Sequence, residues 1–325
     1  MINTSDIERF QHFLEKHKII LNEKIGQHFL IDPEALELIA DRILPGAAVI
    51  EIGPGIGNLT VLLAKRAQAV LGLEIDRQFE PILADVIKAN PNVTIKFTDA
   101  LKVDYADMVD EGPDNNWQIV ANPPYHISEP LMNKVAGSPI SSAVLLVGDK
   151  LAAAMTAETP DCPDYTKTSF ITQAFFHPEV IADVPKESFY PRPRTQSKVV
   201  ELTPREEAEF RGNRQLAIQR QLAAPESQQV TVVKAIKTAL DSMETGKSGK
   251  TGLSRQDTHR YDRRSAKQEL QQILRQGELV RSGRRLDPIR IIENLGLPNE
   301  ILSQPFSRLD NPAIKLLAQA LMNGF

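Results

Sequence analysis

A glycine-rich turn between two apolar segments limits the folds open to this chain more than any other feature. The first segment, residues 47–52, has the apolar character of a buried strand, and Gly53, Gly55 and Gly57 follow it. The second segment, residues 59–67, predicts a helix. Glycines at a strand-to-helix turn let a ligand approach the backbone near a helix N-terminus. The turn therefore predicts an α/β sheet with a ligand at its carboxyl edge, although its GxGxG spacing differs from the GxGxxG of a dinucleotide site.

Apolar runs alternate with helical patterns from residue 47 to about residue 157, which predicts a mainly parallel sheet. Its later strands are predicted at residues 69–75, 93–98, 117–121 and 143–147. An antiparallel hairpin at one edge is predicted from residues 180–184 and 198–202.

Two helices are predicted before this sheet. Ile7, Phe10 and Leu14 share one face of a short N-terminal helix. Asp32 and Pro33 have the residue types preferred at a helix start, and this second helix is predicted to run to residue 44.

Acidic residues stand where two of the predicted strands end. Glu74 and Asp76 close the second strand, about 20 residues after the first glycine, where a carboxylate can bind ribose hydroxyls. Asp99 closes the third strand and can accept a hydrogen bond from an adenine amino group. Taken singly, Glu74 or Asp99 is equally consistent with a helix cap or a solvated loop acid. Their order along the chain favours a nucleoside ligand.

The segment from Asn122 to Tyr125, which reads Asn-Pro-Pro-Tyr, follows the fourth strand. Asn122 offers a side-chain carbonyl, and Pro123 and Pro124 stiffen a loop whose carbonyls are able to accept hydrogen bonds. Tyr125 offers a ring on which a base can stack. The alternative is a proline-containing turn that merely closes a strand. With the glycine turn, the segment predicts methyl transfer from S-adenosylmethionine to an adenine amino group, which requires no metal.

The chain resembles the ribosomal RNA adenine dimethyltransferase family of the small-subunit, kasugamycin-sensitivity type. The matching segments are residues 24–32, 51–60, 74–76, 99–101, 121–128, 184–193, 197–200 and 291–297. The resemblance implies a Rossmann-like class I methyltransferase sheet with an antiparallel edge hairpin, followed by a smaller helical C-terminal domain. It implies dimethylation of adjacent adenines in small-subunit ribosomal RNA. It also implies cofactor contacts from His28, Leu30, Gly53, Gly55, Glu74, Asp99 and Asn122, and target-base contacts from Asn122, Pro123 and Tyr125.

The chain departs from the family pattern at three places. His28 stands where the family usually has Asn, and Pro123 stands where it usually has Leu or Ile. Residues 146–150 replace a more typical Gln-Lys-Glu run. The Pro123 departure and the expanded C-terminal domain keep one alternative open: a large-subunit rRNA adenine methyltransferase of the antibiotic-resistance type, or another nucleic-acid amine methyltransferase. A second alternative is a non-catalytic ribosome-assembly factor that binds RNA, against which the intact Gly53, Glu74, Asp99 and Asn122 argue.

Length and charge predict two domains, residues 1–204 with the methyltransferase site and residues 205–325. The net charge is −4, yet residues 246–290 hold 12 Lys and Arg against five acids. This basic segment predicts contact with RNA phosphates, and a solvated helix face is the alternative.

The resemblance implies ribosomal RNA, in the small subunit or its precursor, as the partner, and a monomer is expected. Other properties of the sequence favour a cytoplasmic enzyme. The sequence has no apolar run of membrane-spanning length, and its first residues lack the pattern of a signal peptide. Cys162 is the single cysteine, so neither an intrachain disulfide nor a cysteine-based metal site is expected.

Overall fold

A computed structural model describes residues 7–21, 27–110, 116–136, 138–206, 218–219, 222–223, 295–304 and 306–324. They belong to two compact units, one within residues 1–156 and 176–204 and the other within 157–175 and 205–325. The chain thus leaves the first unit after residue 156 and returns to it at residue 176. The division predicted from the sequence, at residue 204, differs from this grouping by that excursion.

The first unit is built on one large sheet. In chain order it contains α1 (Ile7–Lys16), β1 (Phe29–Leu30), α2 (Pro33–Ala40), β2 (Ala48–Ile52), α3 (Asn58–Ala64), β3 (Val70–Glu74), α4 (Glu80–Ala89), β4 (Val93–Phe97), α5 (Tyr105–Asp110), β5 (Trp117–Ala121), α6 (Tyr125–Val135), β6 (Ser142–Gly148), α7 (Asp149–Thr156), β7 (Phe176–Val184), β8 (Phe189–Tyr190) and β9 (Ser197–Pro204). Seven strands pair in the order β4-β3-β2-β5-β6-β9-β7. Strands β2 to β6 are parallel, and β9 is antiparallel to both of its neighbours.

The strand order reverses between β2 and β5, so their carboxyl ends form the crevice where such sheets bind ligands. Both strands are buried along their whole length, as parallel strands covered on two faces should be. The edge strand β4 instead alternates, with Val93 buried and Thr94 and Lys96 exposed. The apolar runs that predicted the strands therefore also place the core around the crevice.

The predicted fold class is confirmed, and the predicted strands match the observed ones with small differences at their ends. Two helices are shorter than predicted, because α2 ends at Ala40 and α3 at Ala64. Beyond each end some backbone N–H groups bond three residues back, as from Arg42 to Ile39 and from Lys65 to Leu62. That pattern tightens the last turn and ends the α-helix. In α1, Ile7 is 48% exposed, so the buried face begins at Phe10.

A two-stranded ribbon separate from the large sheet was not predicted. In it, β1 and β8 pair antiparallel, with Phe29 opposite Tyr190 and Leu30 opposite Phe189. Strands of two residues are too short to show any periodicity, so no sequence pattern could indicate them. The predicted hairpin is present as β7 and β9, but β9 lies inside the sheet and β7 forms its edge.

The described part of the second unit is helical, in agreement with the expected helical C-terminal part. It contains α8 (Lys167–Phe175), α9 (Asn299–Leu302) and α10 (Asn311–Gly324). The rings of Phe170 and Phe306 lie 4.8 Å apart, and the Gln219 side-chain amide donates to the Phe170 carbonyl at 2.9 Å. The basic segment 246–290 lies outside the described residues, so its contact with RNA stays a prediction.

No helix in the described residues is long and apolar enough to cross a membrane.

Candidate active site at the carboxyl edge of the sheet

The three glycines after β2 all have a left-handed backbone conformation, but their surroundings differ. Gly53, Gly55 and Gly57 have φ values of +73°, +56° and +78°, a region that L side chains rarely adopt. A Cβ on Gly57 would lie 2.8 Å from Val86, and one on Gly55 would lie 3.0 Å from Phe29. A Cβ on Gly53 would meet nothing within 4 Å. Gly53 therefore faces open space, whereas the other two glycines allow close packing of the loop.

Glu74, at the end of β3, braces this glycine turn. Its buried carboxylate accepts hydrogen bonds from the backbone N–H of Gly55 at 2.9 Å and of Asp76 at 2.8 Å. Burial raises the pKa of Glu74, and these backbone hydrogen bonds oppose the shift. The ribose contact predicted for Glu74 stays a prediction. Its bracing of the loop was not foreseen, because the sequence does not reveal which N–H groups a carboxylate will meet.

Asp76 is held by a set of amide groups. Its Oδ1 accepts from the backbone N–H of Gln78 at 3.0 Å, and its Oδ2 accepts from the side chain of Gln27 at 2.9 Å. The Gln78 side chain also donates to Asp76 and accepts from the backbone N–H of Ile20. Asp76 thus links the segment before β1 to the end of β3. Gln27 was not predicted as a site residue, although it directly precedes the predicted His28.

His28 lies against the chain that follows β8. Its Nδ1 is 2.7 Å from the carbonyl oxygen of Pro191. A carbonyl oxygen only accepts hydrogen bonds, so Nδ1 is the donor in this contact. A cofactor contact by His28 stays a prediction, and Pro191 fixes the orientation in which the ring would make it.

Leu30 takes part through its backbone. Its side chain is buried in the core between the sheet and α2, and its carbonyl accepts a hydrogen bond from Asn58 at 2.5 Å. Asn58 begins α3 directly after the glycine turn. The hydrogen bond therefore ties β1 to that turn, and the predicted cofactor contact of Leu30 stays a prediction.

Asp99 follows β4 and closes its own turn. Its Oδ1 accepts from the backbone N–H of Leu101 at 2.9 Å, and its Oδ2 lies 3.4 Å from the Lys102 ammonium. The neighbouring Thr98 N–H donates to the Glu74 carbonyl at 2.8 Å, which holds the ends of β3 and β4 together. Asp99 is half-buried, and its contact with a cofactor stays a prediction.

Asn122 stands next to the glycine turn. It follows Ala121, which pairs with Ile52, and Gly53 follows Ile52, so both residues leave paired strand ends at the switch point. Asn122 is half-buried, and its side chain makes no hydrogen bond to another residue in the described part of the chain. This arrangement leaves its carbonyl and amide groups available to a ligand.

The rest of the Asn-Pro-Pro-Tyr segment forms the start of α6. Pro123 is buried, and the Pro124 carbonyl accepts from the backbone N–H of Ile127 at 3.0 Å and the hydroxyl of Ser128 at 3.2 Å. The Pro124 carbonyl is thus engaged by the helix, and the target-base contact expected of Pro123 stays a prediction. Tyr125 begins α6, and its side chain lies outside the described part of the structure.

Glu51 is a buried acid beneath the site. Burial raises its pKa to about 8, and the negative charge of Glu74 adds to the shift. In the described residues, neither Glu51 Oε2 nor Thr60 Oγ1 has a partner in hydrogen-bond geometry. Burial is therefore the dominant influence on the pKa. Glu51 is predominantly protonated at neutral pH and adds little negative charge beside Glu74.

These groups fit a nucleoside cofactor with an activated methyl group. Gly53 provides open space at the switch point, where a side chain would intrude on a ligand. Acids on β3 and β4 stand on one side of it, and Asn122 stands on the other. The crevice therefore has carboxylates for hydroxyl and amino groups and an amide beside the position where a methyl group would be transferred.

Known proteins are similar to this chain in sequence and in fold. A profile of the family described as "Ribosomal RNA adenine dimethylase" matches residues 19–217. The chain is 33% identical over 207 residues to "Ribosomal RNA small subunit methyltransferase A" of Alkaliphilus oremlandii, covering 62% of this chain and 72% of that protein. It is 36% identical over 205 residues to the protein of the same name from Anoxybacillus flavithermus, covering 61% and 69%.

A solved structure supports the fold. The dimethyladenosine transferase from Plasmodium falciparum has a TM-score of 0.52 and 24% identity, covering 90% of this chain and 98% of that one. Profile and relatives together establish the family and its cofactor, S-adenosylmethionine. The chain therefore belongs to the ribosomal RNA adenine dimethylase family.

Proposed function

We propose that this protein transfers methyl groups from S-adenosylmethionine to N6 of adenines in small-subunit ribosomal RNA, dimethylating two adjacent adenines. The observation that carries the proposal is the placement of Asn122 beside the open Gly53 at the switch point. Relatives named as small-subunit methyltransferases support the choice of subunit. No observation specifically favours the large-subunit or the non-catalytic alternative.

The proposed cofactor contacts follow the crevice. Gly53 lets the cofactor approach the backbone, and Glu74 binds its ribose hydroxyls while keeping the turn in place through Gly55. Asp99 accepts from the adenine amino group of the cofactor. Further cofactor contacts are assigned to His28 and Leu30, whose segment β8 holds in position.

The target amine is held by acceptors. The amine hydrogens of the target adenine donate to the Asn122 side-chain carbonyl and to the Pro123 carbonyl, which favours a more tetrahedral nitrogen with a more available lone pair. When bound, S-adenosylmethionine supplies an electrophilic methyl group on a sulfonium. The nitrogen loses a proton to water after the transfer. Orientation of the two groups contributes much of the rate, for which effective molarities are worth roughly 7–11 kcal/mol in favourable cases.

The target base has to leave its stack before it reaches Asn122. Extrusion of a base costs a few kcal/mol, and stacking on an aromatic ring returns about 1–3 kcal/mol. We assign that stacking to Tyr125, the first residue of α6.

The test is methyl transfer from labelled S-adenosylmethionine to purified small and large ribosomal subunits that lack the corresponding modifications. Nucleoside analysis should find N6,N6-dimethyladenosine in small-subunit RNA. Label confined to large-subunit RNA would replace the proposal by the large-subunit alternative. No label in either subunit, with cofactor binding intact, would favour the assembly factor.

The choice of substrate also supports a place of action. Ribosomal subunits and their precursors are cytoplasmic in bacteria, and we propose the same compartment for this protein. We propose a monomer, which sedimentation of the purified protein would check.

A further inference from the structure

Residues 185–197, here called the rim segment, cross the carboxyl edge of the sheet. At one end Tyr190 pairs with Phe29, and the Pro191 carbonyl accepts from His28. At the other end Ser197 pairs with Gly148, the last residue of β6. Strand β6 lies beside β5, which leads into the Asn-Pro-Pro-Tyr segment. The rim segment therefore runs from the wall of the cofactor crevice to the strand next to the target-amine site.

The rim segment carries three cations. Arg192 and Arg194 are exposed, whereas Pro193 between them is buried, and Lys186 is half-buried. Because Pro193 is buried, it anchors the backbone at this point, and both arginine side chains lie at the surface.

These three cations differ from the neighbouring Lys198 in their ion pairs. Lys198 contacts the carboxylates of Asp183 and Asp149, so acids already neutralise it. Within the described residues, neither Lys186 nor Arg194 has an ion-pair partner. Arg192 lies 3.5 Å from Glu187, with the side chains 61% and 52% exposed, and a pair so exposed is weak. An incoming phosphate can therefore compete for Arg192.

The rim segment has a fixed position rather than a loose one. The backbone N–H of Ile31 donates to the Ser188 carbonyl at 2.8 Å, and the Ser188 hydroxyl donates to Asp32 at 2.7 Å. The Tyr190 hydroxyl accepts from Gln11 at 3.0 Å. Cations on a positioned segment lose less entropy when they bind a partner than cations on a flexible tail.

We propose that Arg192 and Arg194, assisted by Lys186, bind backbone phosphates of the ribosomal RNA next to the target adenine and so hold the extruded base at Asn122. This inference rests on the proposed function and names the surface that receives the RNA. Arginine suits the role because its planar guanidinium binds phosphate with two parallel hydrogen bonds. Such interactions position the RNA without reading its sequence.

The test compares the Arg192→Gln/Arg194→Gln double variant with the wild type on small ribosomal subunits that lack the methylation. We expect the KM for subunits to rise about tenfold or more, while kcat and the Kd for S-adenosylmethionine stay within about twofold. The slope of log affinity against log salt should become shallower by about one for each phosphate that the variant no longer neutralises. The Arg192→Lys/Arg194→Lys variant should recover the salt slope but only part of the affinity, because lysine keeps the charge without the planar guanidinium.

Lys65→Gln/Lys88→Gln is the matched control, because both lysines are exposed at the ends of α3 and α4, away from the carboxyl edge. The control should behave as the wild type. If the arginine variant keeps the wild-type KM and salt slope, the inference is wrong while the proposed function stands. If wild-type protein transfers no methyl group, the proposed function is wrong, and the salt slopes for subunit binding still decide the role of the arginines.

Discussion

At the scale of single residues, Glu51 gives the site a pH-dependent stability. Its pKa is near 8 in the folded protein and near 4.5 as a free side chain, so the folded state retains a proton that the unfolded chain releases. The contribution of Glu51 to the free energy of unfolding is fully present below about pH 4.5, and it is lost as the pH rises through 8. Within this window the free energy of unfolding falls by about 1.4 kcal/mol per pH unit at most.

Glu51→Gln should remove that slope, because the amide keeps the shape of the protonated acid and does not titrate. Urea unfolding of both proteins at pH 5.5, 7 and 8.5 measures the effect, with the variant gaining over the wild type as pH rises. A difference that stays constant with pH would show that Glu51 does not carry the proton.

Asn122→Ala tests the role proposed for the amide. Turnover should fall by about a hundredfold or more, the range seen when one positioned transition-state hydrogen bond is removed. The Kd for S-adenosylmethionine, measured by calorimetry, should weaken only in part. Asn90→Ala serves as control, because Asn90 caps the far end of α4. Unchanged turnover in Asn122→Ala would remove Asn122 from the mechanism.

Gly53 and Gly46 form a natural pair for testing the open crevice. Both have φ of +73°, and a Cβ on either would meet nothing within 4 Å. Alanine at each position should cost a similar amount, about 1–2 kcal/mol of unfolding free energy, for its left-handed backbone. Only Gly53→Ala should weaken S-adenosylmethionine binding, by about tenfold or more, in a calorimetric titration. Equal affinity in the two variants would mean that Gly53 does not face the cofactor.

At the scale of elements, Gly57 sets how closely α4 approaches the glycine turn. Gly57→Ala adds to the backbone cost a contact of 2.8 Å with Val86, so it should exceed the cost of Gly46→Ala by about 1–3 kcal/mol. Equilibrium unfolding of the two variants gives this difference directly. Equal costs would mean that α4 yields to the added methyl group.

The observed helices and strands show which parts of the fold the sequence can predict. The central strands were predictable because parallel strands buried on both faces are continuous apolar runs. The helix at Pro33 was predictable because Asp32 does cap it, accepting from the backbone N–H groups of Glu34 and Ala35. The ribbon of β1 and β8 was not predictable, since its pairing joins residues far apart in the chain. For the same reason the sequence could indicate Glu74 and His28 as site candidates without revealing that Gly55 and Pro191 hold them.

At the scale of the whole molecule, the second unit is assembled from distant parts of the chain. Phe170 of α8 packs on Phe306, and the Lys315 ammonium donates to the Cys162 carbonyl at 3.1 Å. A chain that ends at residue 204 would keep α8 without these partners. We expect it to bind a hydrophobic dye and to aggregate on warming, whereas the full chain does not. Dye fluorescence and light scattering of both chains measure this, and a well-behaved short chain would contradict the expectation.

The excursion of residues 157–175 also bears on how such a protein can be recombined. A gene fusion that joins the first 204 residues to a foreign C-terminal part would bring along α8 without the helices that cover it. Exchange of the second unit between relatives therefore requires two coordinated crossovers, one on each side of α8, in addition to the one at residue 204. Inheritance of both units together avoids these crossovers. The second unit is therefore a poor candidate for transfer to another protein on its own.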